Sequence, residues 1–490
     1  MRCLLVWTTS LQPPGAGAQG RTPLGVLRGG PPWALAGRGL VANPPFPAET
    51  AEGQGVISDL TGDLLFVANH AQLFNAQGGV MPSGAGPFSF DPLGDQTQGS
   101  LIVPLPGHPD RYEVIYLHAT SYEDWPRAEH LLVDMTLDAG LGDVVPGSRT
   151  VFSDSLTEKL TGTPHGNGVD YWVLAHQWDT DKFLAFLVSD AGLDTNAVVS
   201  SAGSPHQRII GLSPLKNNFQ GQMKVSMDGS MIATATRGNI PPPPRPGIVQ
   251  LFRFDDASGV VEYWTTLPDH FYSYGIEFSA QGSRLYVAGV DSVYQYIDQY
   301  DLEMDDTTAI QNSRTRVYSF QYGVPADLPN DRPEAMALAL DGRICVTRTF
   351  ANTSWFAVIH EPDSLGLACD LDWNGLDLSP TSLRGSHCNQ LKRYHDSPFT
   401  ASVRPVVQRP ALNLWPNPMQ DYAWLDGVRV RGMVRVFWCD ASGRVVQEEQ
   451  VHGNGFGVQL AVGGLSDGVY AVEVSQQGER LGVVRAVVRR

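Results

Sequence analysis

The chain has 490 residues, with 51 Gly, 35 Pro, 34 Lys plus Arg against 51 Asp plus Glu, and a formal net charge of -17. Such acidity argues against a nucleic-acid or anionic-membrane binder, and no run of about 18 apolar residues offers a membrane-spanning helix. Abundant turn formers with few helix-forming stretches point to an all-β chain.

The N-terminus shows part of a leader. Arg2 is a positive start and Ala16, Gly17 and Ala18 precede Gln19 in a small-residue cleavage pattern, but the apolar run Cys3 to Trp7 is short and Pro13 and Pro14 interrupt the stretch between that run and the cleavage pattern. Residues 1–18 therefore read as a degenerate signal peptide, or as a leader whose first codons are wrongly assigned.

From residue 30 to 400 one hairpin phrase recurs: ISDLTGDLLFVA at 57–68, VSMDGSMIATAT at 225–236, FSAQGSRLYVAG at 278–289 and LALDGRICVTRT at 338–349. Each is a strand end, a polar turn closing on glycine (Gly62, Gly229, Gly282, Gly342) and a strand with alternating apolar positions. Looser versions, PGHPDRYEVIYLH at 106–118 and HGNGVDYWVLAHQW at 165–178, fill the wide gap, so turns fall every 47 to 61 residues. A hairpin at that period predicts a six- or seven-bladed β-propeller; a right-handed β-helix or two sandwiches are the alternatives. Leu101–Val103, Leu131–Met135 and Phe183–Val188 supply further strands, read as outer pairs. Pro241–Pro244 reads as an exposed polyproline loop.

Polar residues that could form a site cluster in one stretch. Glu158, His165, Asn167, Asp170, His176 and Asp179 lie close in sequence. His165 and Asp170 flank a hairpin and could meet, whereas His176 ends the following strand, about 20 Å away by strand rise. Glu158 and Lys159 read more simply as a strand-edge pair. With Trp178, the residues His165, Asp170 and His176 are the ligand-site candidates. Calcium is the ion such carboxylates would suit; no other cofactor is expected. Asp301–Asp306 (DLEMDD) is acidic but lacks the glycine and distal glutamate of an EF-hand, and reads as an exposed loop. No nucleophile elbow surrounds Ser153 or Ser155, and neither a GxGxxG motif nor a P-loop occurs. Trp172, Trp178, Tyr272 and Tyr274 either stack a ligand or pack between blades.

Without Cys3, four cysteines remain. Cys369 and Cys388 are 19 residues apart in a loop-rich stretch and either pair after export or stay free; Cys345, in an apolar strand, reads as core.

The last eighty residues carry three ordered motifs: LNLWPNP at 412–418, DASGRVV at 440–446 and GGLSDGVYAVEV at 463–474. Pro416 and Pro418 remove two donors and force a turn after a short strand. Val434, Val436 and Trp438 alternate with Arg435, Phe437 and Cys439 ahead of the turn at 440–443. A last pair of strands, Val469–Val474 and Leu481–Val488, is joined around Gly478. About seven short strands here predict a small C-terminal β-sandwich. The eight acidic and eight basic residues from 412 onward balance, so the net negative charge lies entirely before them.

This order of motifs closely resembles the type A C-terminal sorting domain of the Bacteroidetes type IX (Por) secretion system, over roughly 412–490. The residues carrying the resemblance are Leu412, Pro416, Asn417, Pro418, Gly443, Arg444, Leu465, Gly468, Val469 and Tyr470. Arg485, Arg489 and Arg490 stand where the family often has a lysine-containing strand. The phrases at 53–84, 98–118, 131–145, 157–176 and 275–287 are similar to propeller-like segments of proteins bearing this domain. The resemblance implies a secreted or cell-surface protein handled by the type IX machinery and a sorting peptidase, with 401–411 as the linker where the peptidase cuts. It brings no catalytic residue. The sequence thus reads as a propeller that binds an extracellular protein or glycan, without nucleic acid; the alternative is a hydrolase or lyase acting on extracellular polysaccharide.

Overall fold

The computed structural model describes residues 4–7, 24–28, 41–46, 53–59, 64–69, 72–85, 96–118, 126–206, 220–238, 247–291, 293–304, 306–321, 332–339, 341–349, 355–377, 389, 391, 413–415, 419–420, 422–426, 431–439, 445–454, 458–476 and 479–489. The chain divides into two compact units, Met1–Pro398 and Phe399–Arg490.

Among the described residues of the first unit, six antiparallel sheets follow one another along the chain, each a meander whose first four strands pair consecutively. Blade 1 is Gly55–Ser58, Leu64–Ala68, Gln72–Asn75 and Val80–Ala85. Blade 2 is Ser100–Pro104, Arg111–His118 and Arg127–Asp134, with Asp143–Val144 and Thr150–Ser153 both pairing on its third strand. Blade 3 has the same plan: Leu156–Pro164, Tyr171–Gln177 and Lys182–Ser189, edged by Gly192–Leu193 and Val198–Ser201. Blade 4 is Met223–Val225, Met231–Ala235, Val249–Asp255 and Val260–Leu267. Blade 5 is Tyr272–Phe278, Arg284–Val290, Tyr294–Asp301 and Thr315–Gln321. Blade 6 is Arg332–Leu338, Ile344–Thr349, Trp355–Ile359 and Leu371–Asp377. A three-stranded sheet, Leu4–Trp7, Leu24–Arg28 and Val41–Phe46, precedes them, making seven sheets in series.

The recurring hairpin phrases are the first two strands of blades 1, 4, 5 and 6, and the looser versions those of blades 2 and 3. Gly229, Gly282 and Gly342 take φ of 82°, 70° and 85°, the left-handed conformation glycine adopts without steric cost; Gly62 and Pro241–Pro244 lie outside the described residues. Leu101–Val103 belongs to the innermost strand of blade 2, not to an outer pair. The in-out alternation expected of the second strands is not what the structure shows, because these strands are buried on both faces: in blade 5 every residue of Tyr272–Phe278 and Arg284–Val290 is buried.

Neighbouring blades share apolar layers. Leu174, Phe183, Met223, Ile232 and Phe252 join blades 3 and 4, and Tyr286, Ile297, Met336, Val346 and Ala357 join blades 5 and 6. At the innermost strands the backbones come very close: a Cβ on Gly275 would lie 1.9 Å from the Glu334 carbonyl oxygen.

The second unit has two sheets. One is Asn413–Trp415, Tyr422–Asp426 and Val458–Ala461; the other runs Val445–Asn454, Arg431–Cys439, Gly468–Gln476, Glu479–Val488. Leu425 and Leu460 from the first meet Val434, Val436, Trp438 and Val472 from the second in one core, as in a sandwich. The alternation of Val434, Val436 and Trp438 inward against Met433 and Arg435 outward is the pattern that the sequence carries.

Candidate functional sites along the propeller axis and in the C-terminal unit

Side chains from the innermost strands reach past their neighbours, which places them on a common axis. Gln98, just ahead of blade 2, accepts from Met223 N at 2.7 Å and donates to Met223 O at 3.0 Å, in blade 4. Gln222 Oε1 accepts from Ile276 N at 3.2 Å and Met336 N at 2.9 Å, in blades 5 and 6. Glu158 Oε2 accepts from Thr97 N at 3.0 Å and Thr97 Oγ1 at 2.7 Å. Glu277 Oε2 accepts from Leu338 N at 3.0 Å and lies 3.5 Å from Lys224 Nζ. Buried side-chain amides and carboxylates thus take up backbone groups that the innermost strands leave unpaired.

Two residues from beyond the last blade fill the space between blades 1, 2 and 3. Asn389 pairs in parallel with Gly55 and donates N–H to Gln54 O at 2.7 Å. Its Nδ2 donates to Leu160 O at 2.8 Å, and its Oδ1 accepts from Gln98 Nε2 at 3.3 Å. Leu391 is fully buried against Gly162, where a Cβ would come 2.6 Å from a Leu391 methyl.

The sequence candidates separate into two places. His165, Asn167 and Asp170 close the blade 3 hairpin on themselves: His165 N donates to Asp170 O at 2.8 Å, Asn167 N to His165 Nδ1 at 2.9 Å and Asn167 Nδ2 to Asp170 Oδ2 at 2.7 Å. The His165 ring stacks on Trp172 at 5.2 Å. His176 and Trp178 are instead enclosed at the far end of that strand. Glu158 and Lys159, expected as a strand-edge pair, are both buried on the innermost strand, because in a propeller that strand faces the axis rather than solvent. Trp172, Trp178, Tyr272 and Tyr274 are likewise buried, as blade-packing residues are.

Around His176 the structure gathers groups that the sequence kept apart. His206, on the connector leaving blade 3, stacks on His176 with ring centroids 3.7 Å apart. All four ring nitrogens are buried without a hydrogen-bond partner of good geometry. Burial and the nearby Lys159 push His176 down to about 3, and burial, His176 and Lys159 hold His206 well below the usual imidazole range. Burial also pushes Lys159 down to about 7; its Nζ donates to Gln220 O at 3.1 Å. His206 stands in the connector SAGSPHQ, which has no strand pattern to mark it as buried.

Among the described residues no group of three or more His, Cys, Asp or Glu could hold a metal ion. In the DLEMDD stretch, Asp301 pairs with Arg284 at 2.5 Å, and Asp306 caps the helix Thr307–Asn312 through Thr308 N and Ala309 N. Cys345, Cys369 and Cys439 are free thiols, the first two buried; Cys388 lies outside the described residues.

In the C-terminal unit, Leu465 and Tyr470 are buried in the core. Tyr470 OH donates to Ser466 O at 2.8 Å, and its ring meets Trp438 edge-on at 6.3 Å. Gly468 opens a strand and Val469 faces solvent. Leu412, Pro416, Asn417, Pro418, Gly443, Arg444 and the linker 401–411 lie outside the described residues.

The fold defines an all-β protein, a β-propeller followed by a small sandwich. Residues 413–488 match the secretion system C-terminal sorting domain family, Por_Secre_tail. The protein is therefore exported by the type IX route to the cell surface or beyond it, and no helix among the described residues is long and apolar enough to cross a membrane. No curated protein matches the chain. Solved structures similar to it include a functionally unknown protein of Desulfotomaculum acetoxidans (11% identity, 79% of this chain and 99% of that one, TM-score 0.45). A putative 6-phosphogluconolactonase of Bacteroides uniformis is similar too (13%, 78% and 97%, 0.45), as is the periplasmic gluconolactonase of Pseudomonas aeruginosa (11%, 95% and 99%, 0.40).

Proposed function

We propose that the propeller is a binding platform for an extracellular protein or glycan, delivered by its C-terminal sorting domain, which a sorting peptidase removes within 401–411. The observation supporting this reading is the filled axis. Asn389 and Leu391 occupy the space between blades 1, 2 and 3, and Gln98, Glu158 and Gln222 are committed to backbone partners. A propeller hydrolase or lyase would keep such groups convergent on an open funnel; here they are spent on holding blades together. Recognition then falls to the outer surfaces.

The test pairs a glycan array and extracellular-protein pull-downs with reducing-end and unsaturated-product assays on the same polysaccharides, using the full chain. Retention of a ligand without product supports the platform. Turnover of any polysaccharide, lost on Lys159→Met or His176→Phe, would replace it with the enzyme.

A further inference from the structure

The hairpin that joins the third and fourth strands of blade 6, residues 360–370, is tied to blade 5 by a row of hydrogen bonds. Tyr286 OH donates to Pro362 O at 2.8 Å. Asp363 Oδ1 accepts from Gln281 N at 3.1 Å and from Ser283 Oγ at 2.9 Å. Gln299 closes the row: its Nε2 donates to Ser364 O at 2.7 Å and its Oε1 accepts from Gly366 N at 2.7 Å. At the end of the turn Gly366–Cys369, the Cys369 side chain is buried. A loop anchored in this way has little backbone freedom left to lose on binding.

What the anchored loop displays is apolar. Leu367 is 80% exposed, more than any other large hydrophobic side chain among the described residues, and Leu365, on the other side of Gly366, is 55% exposed. Exposed apolar residues scattered singly are ordinary. Two leucines on a turn held by five hydrogen bonds from the next blade are a preorganised pair of anchors. The carboxylates around them have one sign and no counterpart in sequence, since residues 360–372 hold Glu361, Asp363, Asp370 and Asp372 and neither Lys nor Arg. Burial and the neighbouring Asp370 and Asp363 raise the Glu361 carboxyl above its ordinary range, which puts these groups within electrostatic reach of one another.

We infer that Leu365 and Leu367 are the anchors by which the propeller docks a protein that offers an apolar pocket rimmed by Lys or Arg; this rests on the platform reading and gives it a place and a partner. A basic rim relieves the crowding of carboxylates while the pocket covers the leucines, so both chemistries of the loop are met at once. A lipid surface is a poorer match, because the carboxylates beside the leucines would meet phosphate-bearing headgroups. A glycan would find no ring to stack on, as residues 360–372 contain no Trp, Tyr or Phe.

The test uses the purified full chain with p-benzoylphenylalanine in place of Leu367, irradiated with the extracellular and outer-membrane proteins of the host. The same photo-crosslinker in place of Val169, which is 56% exposed in the blade 3 hairpin, is the control. The expected result is one protein crosslinked from position 367 and not from 169, joined at a peptide that sets Lys or Arg beside apolar residues. Binding of that protein, once purified, should be weakened roughly tenfold or more by Leu365→Ser and by Leu367→Ser, and about threefold by Asp370→Asn. Affinity untouched by the leucine variants, or a crosslinked peptide that is acidic or belongs to this chain, overturns the inference and leaves the platform standing. Crosslinking from 169 as strong as from 367 does the same. Crosslinking from neither position overturns it and leaves only a glycan for the platform. Sedimentation of the full chain with phosphatidylcholine vesicles, lost in Leu367→Ser, would replace the protein partner with a membrane.

Discussion

The imidazole of His206, from the connector leaving blade 3, lies flat on that of His176, from the second strand of that blade, with 3.7 Å between centroids and 20° between planes. Two buried rings whose nitrogens lack partners can be accommodated only while both are neutral.

That arrangement makes the propeller sensitive to acid. Both imidazoles are held below the ordinary value of 6.5, His176 at about 3. The unfolded chain therefore binds protons at a pH where the folded one does not, and stability is full above about 6.5 and falls as the pH drops toward the folded values. Lys159, pushed down from 10.5 to about 7, makes its own contribution at higher pH, lost between the unfolded value and about 7, and adds no slope below that. Each imidazole contributes a slope of about 1.4 kcal/mol per pH unit. Urea unfolding at pH 7, 6 and 5 should show this decline, with His206→Leu flattening it by about one imidazole's share. An unchanged slope in the variant would mean that the pair is protonated in the folded state.

How much of this was legible beforehand depends on which strand a residue occupies. Gly229, Gly282 and Gly342 announce the blades because a tight hairpin turn requires their positive φ and so writes them into the sequence at a regular spacing. Val434, Val436 and Trp438 announce the sandwich because one face of their sheet is solvated. Innermost strands escape both rules. Lys159 and Glu158 look like surface residues in sequence, yet they are buried on the axis, where polar side chains replace missing ladder partners. Asn389 and His206 sit in connectors with no period, and only the closed arrangement of blades brings them to Gln98 and His176.

Asn389 should act as a clasp across three blades. In Asn389→Ala the backbone bond to Gln54 persists, but the Leu160 carbonyl loses the Asn389 donor and the Gln98 amide loses one of its two acceptors, keeping Met223 O. A buried group left unsatisfied costs about 1–3 kcal/mol, so the expected loss lies within that range, seen as a lower urea midpoint at unchanged m-value. A midpoint within error of the parent would show that the axis holds without this residue.

Gly275 should tolerate no side chain. Its φ is ordinary, so the constraint is one of space: the Glu334 carbonyl lies 1.9 Å from where a Cβ would stand, and backbone cannot swing aside as a side-chain end can. Gly275→Ala should cost more than about 3 kcal/mol, at or beyond the upper end of ordinary overpacking. Gly282→Ala, in a hairpin turn where the nearest atom to a new Cβ is the end of Met231 at 3.3 Å, should cost less, chiefly its positive φ. Thermal melts of the two variants side by side check the order, and equal losses would refute the close approach of blades 5 and 6.

The sorting domain should be recognised as a folded sandwich rather than as a linear signal. Trp438 is fully buried, packs edge-on against Tyr470 and donates Nε1–H to Glu449 Oε1 at 3.1 Å. Trp438→Ala removes this contact and opens a cavity at an expected cost of about 3–5 kcal/mol, most of the stability a domain of this size has. Surface delivery in the host should then fall to the level seen when residues 412–490 are deleted, with protein accumulating in the periplasm. Val469→Ala, on the same sheet but facing solvent, should leave the fold intact. Fractionation of cells expressing each variant separates the two ideas: normal delivery of Trp438→Ala would mean that the machinery reads the ordered motifs without the fold, whereas loss in Trp438→Ala with normal delivery of Val469→Ala places recognition on the packed sandwich.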